Sequence, residues 1–134
     1  MQIAFRAKEG GVFLFDVTGN QITLTSGDTG IFSIVPEPSG RIPSPDDAAV
    51  FTVKDRVGGR TFIRKILSPD EAGVVTVVLS NADTEGMQSG VYVWDVRYVV
   101  SPVYDGKGNV TDGEEVSTPL PYAPFIVLEA VSFI

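Results

Sequence analysis

The sequence contains no cysteine and no histidine. Without cysteine there are no disulfide bonds, no thiolate metal ligands and no cysteine nucleophile. Without histidine the chain lacks the commonest general base, the Ser-His-Asp triad and the usual zinc ligand. A phosphate-binding loop is also missing, since neither Gly10-Gly11 nor Gly58-Gly59 leads into Gly-Lys-Ser/Thr or a helix. We therefore predict that the protein is not an enzyme and has no catalytic, cofactor-binding or metal site.

Long apolar runs and positive charge are scarce as well. The longest apolar stretches are far shorter than a membrane span, and the N-terminal residues lack the basic start and apolar block of a signal peptide. The net charge is −7, and affinity for nucleic acid comes largely from neutralising phosphates. We expect a soluble protein without a signal peptide, with neither a membrane nor a nucleic acid as partner.

The basic residues that do occur are concentrated in one segment. Lys54–Lys65 holds five of the ten: Lys54, Arg56, Arg60, Arg64 and Lys65. We interpret this segment as two solvent-facing strands joined by a turn at Gly58-Gly59, because charged side chains are mostly exposed. A contact with an acidic partner surface is the alternative.

The rest of the chain is built of short β-prone runs. No segment sustains a helical period, and 14 glycines and 9 prolines separate runs rich in Val, Ile, Phe, Thr and Tyr. The candidate strands are Ile3–Arg6, Val12–Val17, Gln21–Thr25, Gly30–Val35, Val50–Lys54, Thr61–Leu67, Val74–Leu79, Val91–Val100 and Pro124–Phe133. Thr18-Gly19-Asn20 predicts a hairpin, and the proline-rich segment Pro36–Asp47 a crossing between sheets. We predict one domain, residues 1–134, with an all-β fold: an immunoglobulin-like β-sandwich of about 8–9 antiparallel strands.

The run Val91–Val100 alternates strictly. Its even positions are all apolar or aromatic, while its odd positions include Asp95 and Arg97, so one face is expected on the core. In immunoglobulin-like sandwiches a tyrosine near the start of such a strand closes the preceding corner, and Tyr92 has this placement. A cysteine would follow two residues later in antibody domains, so we predict that Trp94 fills the core in its place.

Oxygen donors are clustered in the segment Tyr104–Val116. It contains Asp105, Asn109, Asp112, Glu114 and Glu115, and calcium is bound by six to eight oxygens. The spacing fails the EF-hand pattern, because Lys107 and Val110 stand where an oxygen donor and glycine are required. A polar, flexible hairpin loop is the interpretation, with calcium as the alternative.

Three pairs of adjacent carboxylates lie in predicted turns: Asp46-Asp47, Asp70-Glu71 and Glu114-Glu115. Glycosidases place two acids on opposite sides of a cleft, whereas neighbours along an extended chain point in opposite directions. These carboxylates, like Asp28-Thr29, are expected to bind backbone amides in turns.

The last candidate strand is apolar on both faces, with Phe125, Val127, Val131 and Phe133 on one face and Ile126, Leu128, Ala130 and Ile134 on the other. Such a strand is either central to the fold or covered by another chain, because exposed apolar patches usually mark interfaces.

The order of three segments resembles a known family. "ITLTSGDTGIFSIV", "DDAAVFTVKDR" and "GVVTVVLSNADTEGMQSGVYVWDVRYV" are similar to the N-terminal immunoglobulin-like domain of phage baseplate upper proteins and related phage or prophage tail structural proteins. The resemblance covers roughly residues 21–100. It implies an attachment module of the virion without catalytic residues. It also implies that seven residues determine the fold: Asp28, Thr29, Asp83, Thr84, Gly90, Tyr92 and Asp95.

Two functions are consistent with these features. The first is a non-catalytic structural module of a phage or prophage tail (baseplate), present in the virion or in the bacterial cytoplasm before assembly. Its partners would be other tail or baseplate proteins, and it could form a homo-oligomer through the C-terminal strand. The alternative is a ligand-binding sandwich, such as a carbohydrate-binding or adhesin-like module, with Tyr98, Tyr104 and Tyr122 as the aromatic candidates.

Overall fold

The computed structural model describes residues 5–9, 15–18, 20–36, 42–117 and 122–129. The secondary structure of this part of the chain is predominantly β-strand with almost no helix, as the all-β prediction requires. The strands are β1 Phe5–Glu9, β2 Phe15–Thr18, β3 Gln21–Thr25, β4 Gly30–Pro36, β5 Ala48–Lys54, β6 Thr61–Leu67, β7 Val75–Leu79, β8 Gly90–Val100, β9 Val103–Tyr104, β10 Val110–Asp112, β11 Glu115–Ser117 and β12 Ala123–Leu128; one short helix, α1, spans Asn81–Thr84.

The strands form two main sheets. The smaller is antiparallel, with the order β1-β4-β7. The larger has the order β2-β3-β12-β8-β5-β6, and β11 pairs with the end of β8. β3 and β12 run parallel, so the larger sheet is mixed and the prediction of antiparallel strands alone is wrong. Two strands far apart in the chain can pair in parallel without any local turn that the sequence would reveal.

β8 is the central strand of the larger sheet. β5 pairs along one side of it, from Val93 to Val99. On the other side, β12 pairs with its first half and β11 with its last three residues. The predicted alternation is confirmed from Tyr92 to Tyr98, where the even positions are buried and Arg97 is exposed.

Both sheets contribute side chains to one hydrophobic core, so they pack face to face. Trp94 is only 1% exposed, which confirms its predicted place in the core. Its ring centroid lies 6.1 Å from that of Phe32 in β4 and 5.7 Å from that of Phe51 in β5. The indole Nε1–H donates a hydrogen bond of 2.9 Å to the carbonyl of Asn20, next to β3. Trp94 therefore joins three strands and the β2–β3 connection.

Two predicted connections are confirmed. β2 and β3 form an antiparallel hairpin in which Thr18 pairs with Gln21. Between β4 and β5 the chain passes from the smaller sheet to the larger, as expected for a long proline-rich segment. Residues 37–41 of that segment lie outside the described residues.

Helix α1 was not predicted, because four residues are too few to show a helical period. Its start carries a capping box. The Asp83 N–H donates to Ser80 Oγ at 3.3 Å, and the Ser80 N–H donates to the Asp83 carboxylate at 2.8 Å. The spacing of Ser80 and Asp83 was therefore the sequence signal for this helix start.

β12 is central in its sheet, with β3 on one side and β8 on the other. Ala123, Phe125 and Val127 are buried, whereas Pro124 and Leu128 on the opposite face are exposed. The strand therefore covers the core with one face only. The predicted extension of this strand to Phe133 lies outside the described residues.

Candidate interaction surface

The residues that carry the family resemblance have structural contacts. The buried Thr84 hydroxyl donates 2.8 Å to the carbonyl of Asp28. Two further hydrogen bonds join the same segments, from Asn81 Nδ2 to the Gly27 carbonyl and from Ser26 Oγ to the Met87 carbonyl. Helix α1 is thereby bound to the turn between β3 and β4, which brings two of the seven predicted residues together.

Asp83 links the same helix to β6. Its carboxylate forms an ion pair of 2.9 Å with Lys65 in addition to the capping hydrogen bond from Ser80. Partial burial raises the pKa of this carboxyl, but the hydrogen bonds from Ser80 and Lys65 outweigh it and hold the pKa below its usual value. The charged form of Asp83 therefore stabilises this corner.

Gly90 and Tyr92 shape the start of β8. The Tyr92 hydroxyl donates 2.8 Å to the carbonyl of Gln88, as predicted for a tyrosine that closes the preceding corner. Gly90 has φ 156°, a conformation that other residues rarely adopt. Thr29 is exposed in the β3–β4 turn. Asp95 lies on the opposite face of β8 from Tyr92, so it does not share this corner.

The outer face of the larger sheet carries an apolar group that we call the outer strip: Val91, Val93, Pro124, Ile126 and Leu128. Val91 pairs with Ile126 and Val93 with Pro124 across β8 and β12. Val91 is 67% exposed and Leu128 49%. Contiguous apolar side chains in this position are typical of protein–protein contacts.

The other end of the same face is covered by the chain itself. Val50 and Val99 point away from the core, yet they are only 7% and 5% exposed. They line a narrow cavity together with Val110 of β10 and Val116 of β11. At Gly113 an added Cβ would lie 2.2 Å from Val99 Cγ1, so only glycine allows this close approach. The segment after β8 thus covers the part of the outer face around Val50 and Val99, and the outer strip stays exposed among the described residues.

The acidic segment 104–116 contains a hairpin, β9–β10, as predicted. Asp105 accepts backbone hydrogen bonds from Lys107 at 2.8 Å and Asn109 at 2.9 Å. These bonds hold the pKa of Asp105 below its usual value. Within the described residues, no three acidic side chains gather in an arrangement that could hold a metal ion. The Asp105 carboxylate serves the turn.

Two of the paired carboxylates serve turns in the same way. Asp47 accepts 3.0 Å from the Ser44 N–H, and Asp70 accepts 2.9 Å from the amides of Ala72 and Val74. These contacts confirm the predicted turn roles of Asp47 and Asp70. Their neighbours Asp46 and Glu71 are exposed, and so are Glu114 and Glu115. Glu115 begins β11 and pairs with Val100, so the prediction that it lies in a turn is wrong.

The three tyrosines proposed as a sugar platform do not share a surface. Tyr98 is fully buried, so the prediction that it could stack on a ligand is wrong. Burial also raises the pKa of its hydroxyl group. Its even position in β8 places it on the core face. Tyr104 and Tyr122 are 49% and 61% exposed.

The basic segment forms the β5–β6 hairpin, as predicted. Arg56, Arg60 and Arg64 are exposed, and the Arg60 guanidinium lies 5.0 Å from the centroid of the Phe62 ring. Contact of these side chains with an acidic partner stays a prediction.

Among the described residues, no helix combines the length and apolar character needed to cross a bilayer. Comparison with protein-family models, with curated proteins and with solved structures finds no match to this chain.

Proposed function

We propose that the protein is a non-catalytic structural module of a phage or prophage tail that works through protein–protein contacts, and that the outer strip is the contact surface. The observation that carries the proposal is the contrast between the two halves of one sheet face. The chain covers Val50 and Val99 with its own hairpin, whereas Val91 and Leu128 are left in solvent. Full burial of a valine or leucine side chain contributes about 1.5–3 kcal/mol. Because Val91 is 67% and Leu128 49% exposed, a partner that covers them gains roughly half or more of that for each.

The strand order supports an immunoglobulin-like sandwich of the variable type. The neighbours β12-β8-β5-β6 correspond to strands G-F-C-C′, and β4-β7 to strands B-E. The Tyr92 hydroxyl bond then lies at the tyrosine corner of strand F. This assignment makes the proposed fold an immunoglobulin-like one among the all-β folds, which is the fold that the resemblance implies.

An aromatic trio supports the same assignment. Antibody domains pack a tryptophan of strand C against a disulfide between strands B and F. Here Phe51 stands in C, Phe32 in B and Trp94 in F, with ring centroids 5.7–6.1 Å apart. Three aromatic rings thus occupy the region of the disulfide, which suits a chain without cysteine.

The phage assignment rests on the sequence resemblance, and the contacts of Thr84, Asp28 and Gly90 support only the structural role that the resemblance implies for them. Thr84 and Asp28 hold a turn and a helix together, and Gly90 sets the entry to β8. They are fold determinants of the kind that the family pattern implies, and the outer strip is left as the surface for partners.

The test is a charge placed on the outer strip. The proteins encoded by the genes on either side of this one are purified, and binding to the wild type and to Val91→Glu is measured by isothermal titration calorimetry. We expect Val91→Glu to weaken a tail-protein complex at least tenfold, because a buried, unpaired carboxylate costs well above the ~1.4 kcal/mol of a tenfold change.

The matched control is Val78→Glu. Val78 is 51% exposed at a mid-strand position of β7, on the outer face of the other sheet. It should leave binding unchanged. The proposal is overturned if the neighbouring genes encode no tail protein or if none of their products binds, and also if both variants bind as the wild type does.

A further inference from the structure

A cleft of about 330 Å³ lies on the outer face of the larger sheet, next to the outer strip. This volume is at the lower end of the range of small-molecule sites. The side chains that matter come from β5, β8, the β5–β6 turn and the residue before β12: Thr52, Lys54, Val57, Val93, Asp95 and Tyr122. These residues come from three separate parts of the sequence and form no motif, so only the fold brings them together.

The floor of the cleft holds both hydrogen-bond donors and hydrogen-bond acceptors. Thr52 pairs with Asp95 across β5 and β8, and Lys54 pairs with Val93. Lys54 and Asp95 are therefore diagonal neighbours on one face. The half-buried carboxylate accepts hydrogen bonds, the ammonium group donates them, and the threonine hydroxyl does both.

The walls of the cleft are apolar and exposed. Tyr122 is 61% exposed on the β12 side, and Val57 is 63% exposed on the side of the β5–β6 turn. An aromatic ring beside polar groups suits a ligand that has one apolar face and several hydroxyl groups.

We propose that this cleft binds one neutral sugar unit, a hexose or N-acetylhexosamine of a glycan. The C–H face of the sugar packs on Tyr122, and its hydroxyl groups bond to Asp95, Lys54 and Thr52. Neutrality follows from the floor, where Asp95 disfavours a phosphate or carboxylate ligand and Lys54 disfavours a cation. The sugar site shares Val93 with the outer strip, but its polar groups and Tyr122 lie outside the strip.

The experiment is a titration of the ¹⁵N-labelled protein with methyl glucoside, methyl galactoside and N-acetylglucosamine, each alone. We expect at least one of them to shift the amide signals of Thr52, Val93 and Asp95. At the efficiency of drug-sized ligands, a methyl hexoside of about 13 heavy atoms binds with a Kd of about 1 mM.

Tyr122→Ala should raise this Kd at least tenfold, and Tyr104→Ala is the matched control because Tyr104 is an exposed tyrosine outside the cleft. The dispersion of each variant's amide spectrum shows that it is folded. Asp95→Asn should weaken binding while leaving the fold intact, since it removes a carboxylate that burial disfavours.

The proposal is overturned if none of the three sugars shifts the cleft amides, or if the shifts persist in Tyr122→Ala. It is also overturned if glucuronate or glucosamine binds better than the neutral sugars. Shifts of the same amides by a tail protein, without any sugar effect, would assign the cleft to the protein contact instead.

Discussion

Replacing Trp94 with phenylalanine tests the centre of the fold. The indole is buried between Phe32 and Phe51, and its Nε1–H donates to the Asn20 carbonyl at 2.9 Å. Phenylalanine keeps an aromatic ring in the core. It removes the N–H donor, and it leaves a cavity where the larger ring system stood.

The cost follows from these two losses. The hydrogen bond contributes about 0.5–1.5 kcal/mol net, and the cavity adds about 1–2 kcal/mol. We therefore expect Trp94→Phe to lower the free energy of unfolding by about 2–3 kcal/mol. Trp94→Ala should cost about 3–5 kcal/mol, a large share of the ~5–15 kcal/mol by which domains are stable.

The assay is urea unfolding followed by far-ultraviolet circular dichroism, because Trp94 is the only tryptophan and its fluorescence is lost in the variants. The midpoint should fall while the slope with urea stays constant. Tyr104→Ala, at an exposed position, should change stability by less than about 0.5 kcal/mol. A Trp94→Phe variant as stable as the wild type would refute the buried, hydrogen-bonded indole.

Three further predictions concern the corner around α1. Thr84→Val should lower the free energy of unfolding in urea by about 1–3 kcal/mol, because it leaves the Asp28 carbonyl without its donor. The control Thr76→Val, at an exposed strand position, should change it very little. Equal losses in the two variants would contradict the contact. Gly90→Ala should lower the free energy of unfolding by about 1–3 kcal/mol through backbone strain, measured by thermal unfolding. The control Gly86→Ala, at a glycine without positive φ, should be nearly neutral. A neutral Gly90→Ala would contradict the strain. The pKa of Asp83 lies below its ordinary value of 3.8, so its contribution to stability is present above that pH and is lost as pH falls through the folded-state pKa. Asp83→Asn should therefore flatten the acid limb of the stability curve, and an unchanged acid limb would contradict the shift.

The strands were predictable where alternation is long and local. Gln21–Thr25 and Thr61–Leu67 agree with the structure at both ends, and β8 was placed to within one residue. In Gln21–Thr25 and β8 the side chains of one face lie on the core, and the period of two is visible in the sequence itself. Thr61–Leu67 does not alternate, and it was recognised by its β-prone residues between two turn segments.

The prediction failed where an element is short or its partner is distant. Helix α1 has one turn, and β9, β10 and β11 have two or three residues each, so none shows a period. The strand count therefore exceeds the predicted 8–9.

The candidate surface was only half predictable. The sequence of β12 is apolar on both faces, and pattern alone could not say which face meets the core. The answer depends on the parallel pairing with β3 and on the hairpin that covers Val99 but not Val91. The cleft was less predictable still, because Lys54, Asp95 and Tyr122 come from three strands or their ends.

The most direct test of the proposed working surface is a methyl NMR titration of the protein with the proteins encoded by the genes on either side of its own. Signals of Val91, Ile126 and Leu128 should broaden or shift on binding, while those of Ile31 and Val78 on the opposite outer face should not. Changes at Ile31 and Val78, with the outer strip unaffected, would contradict the proposed working surface.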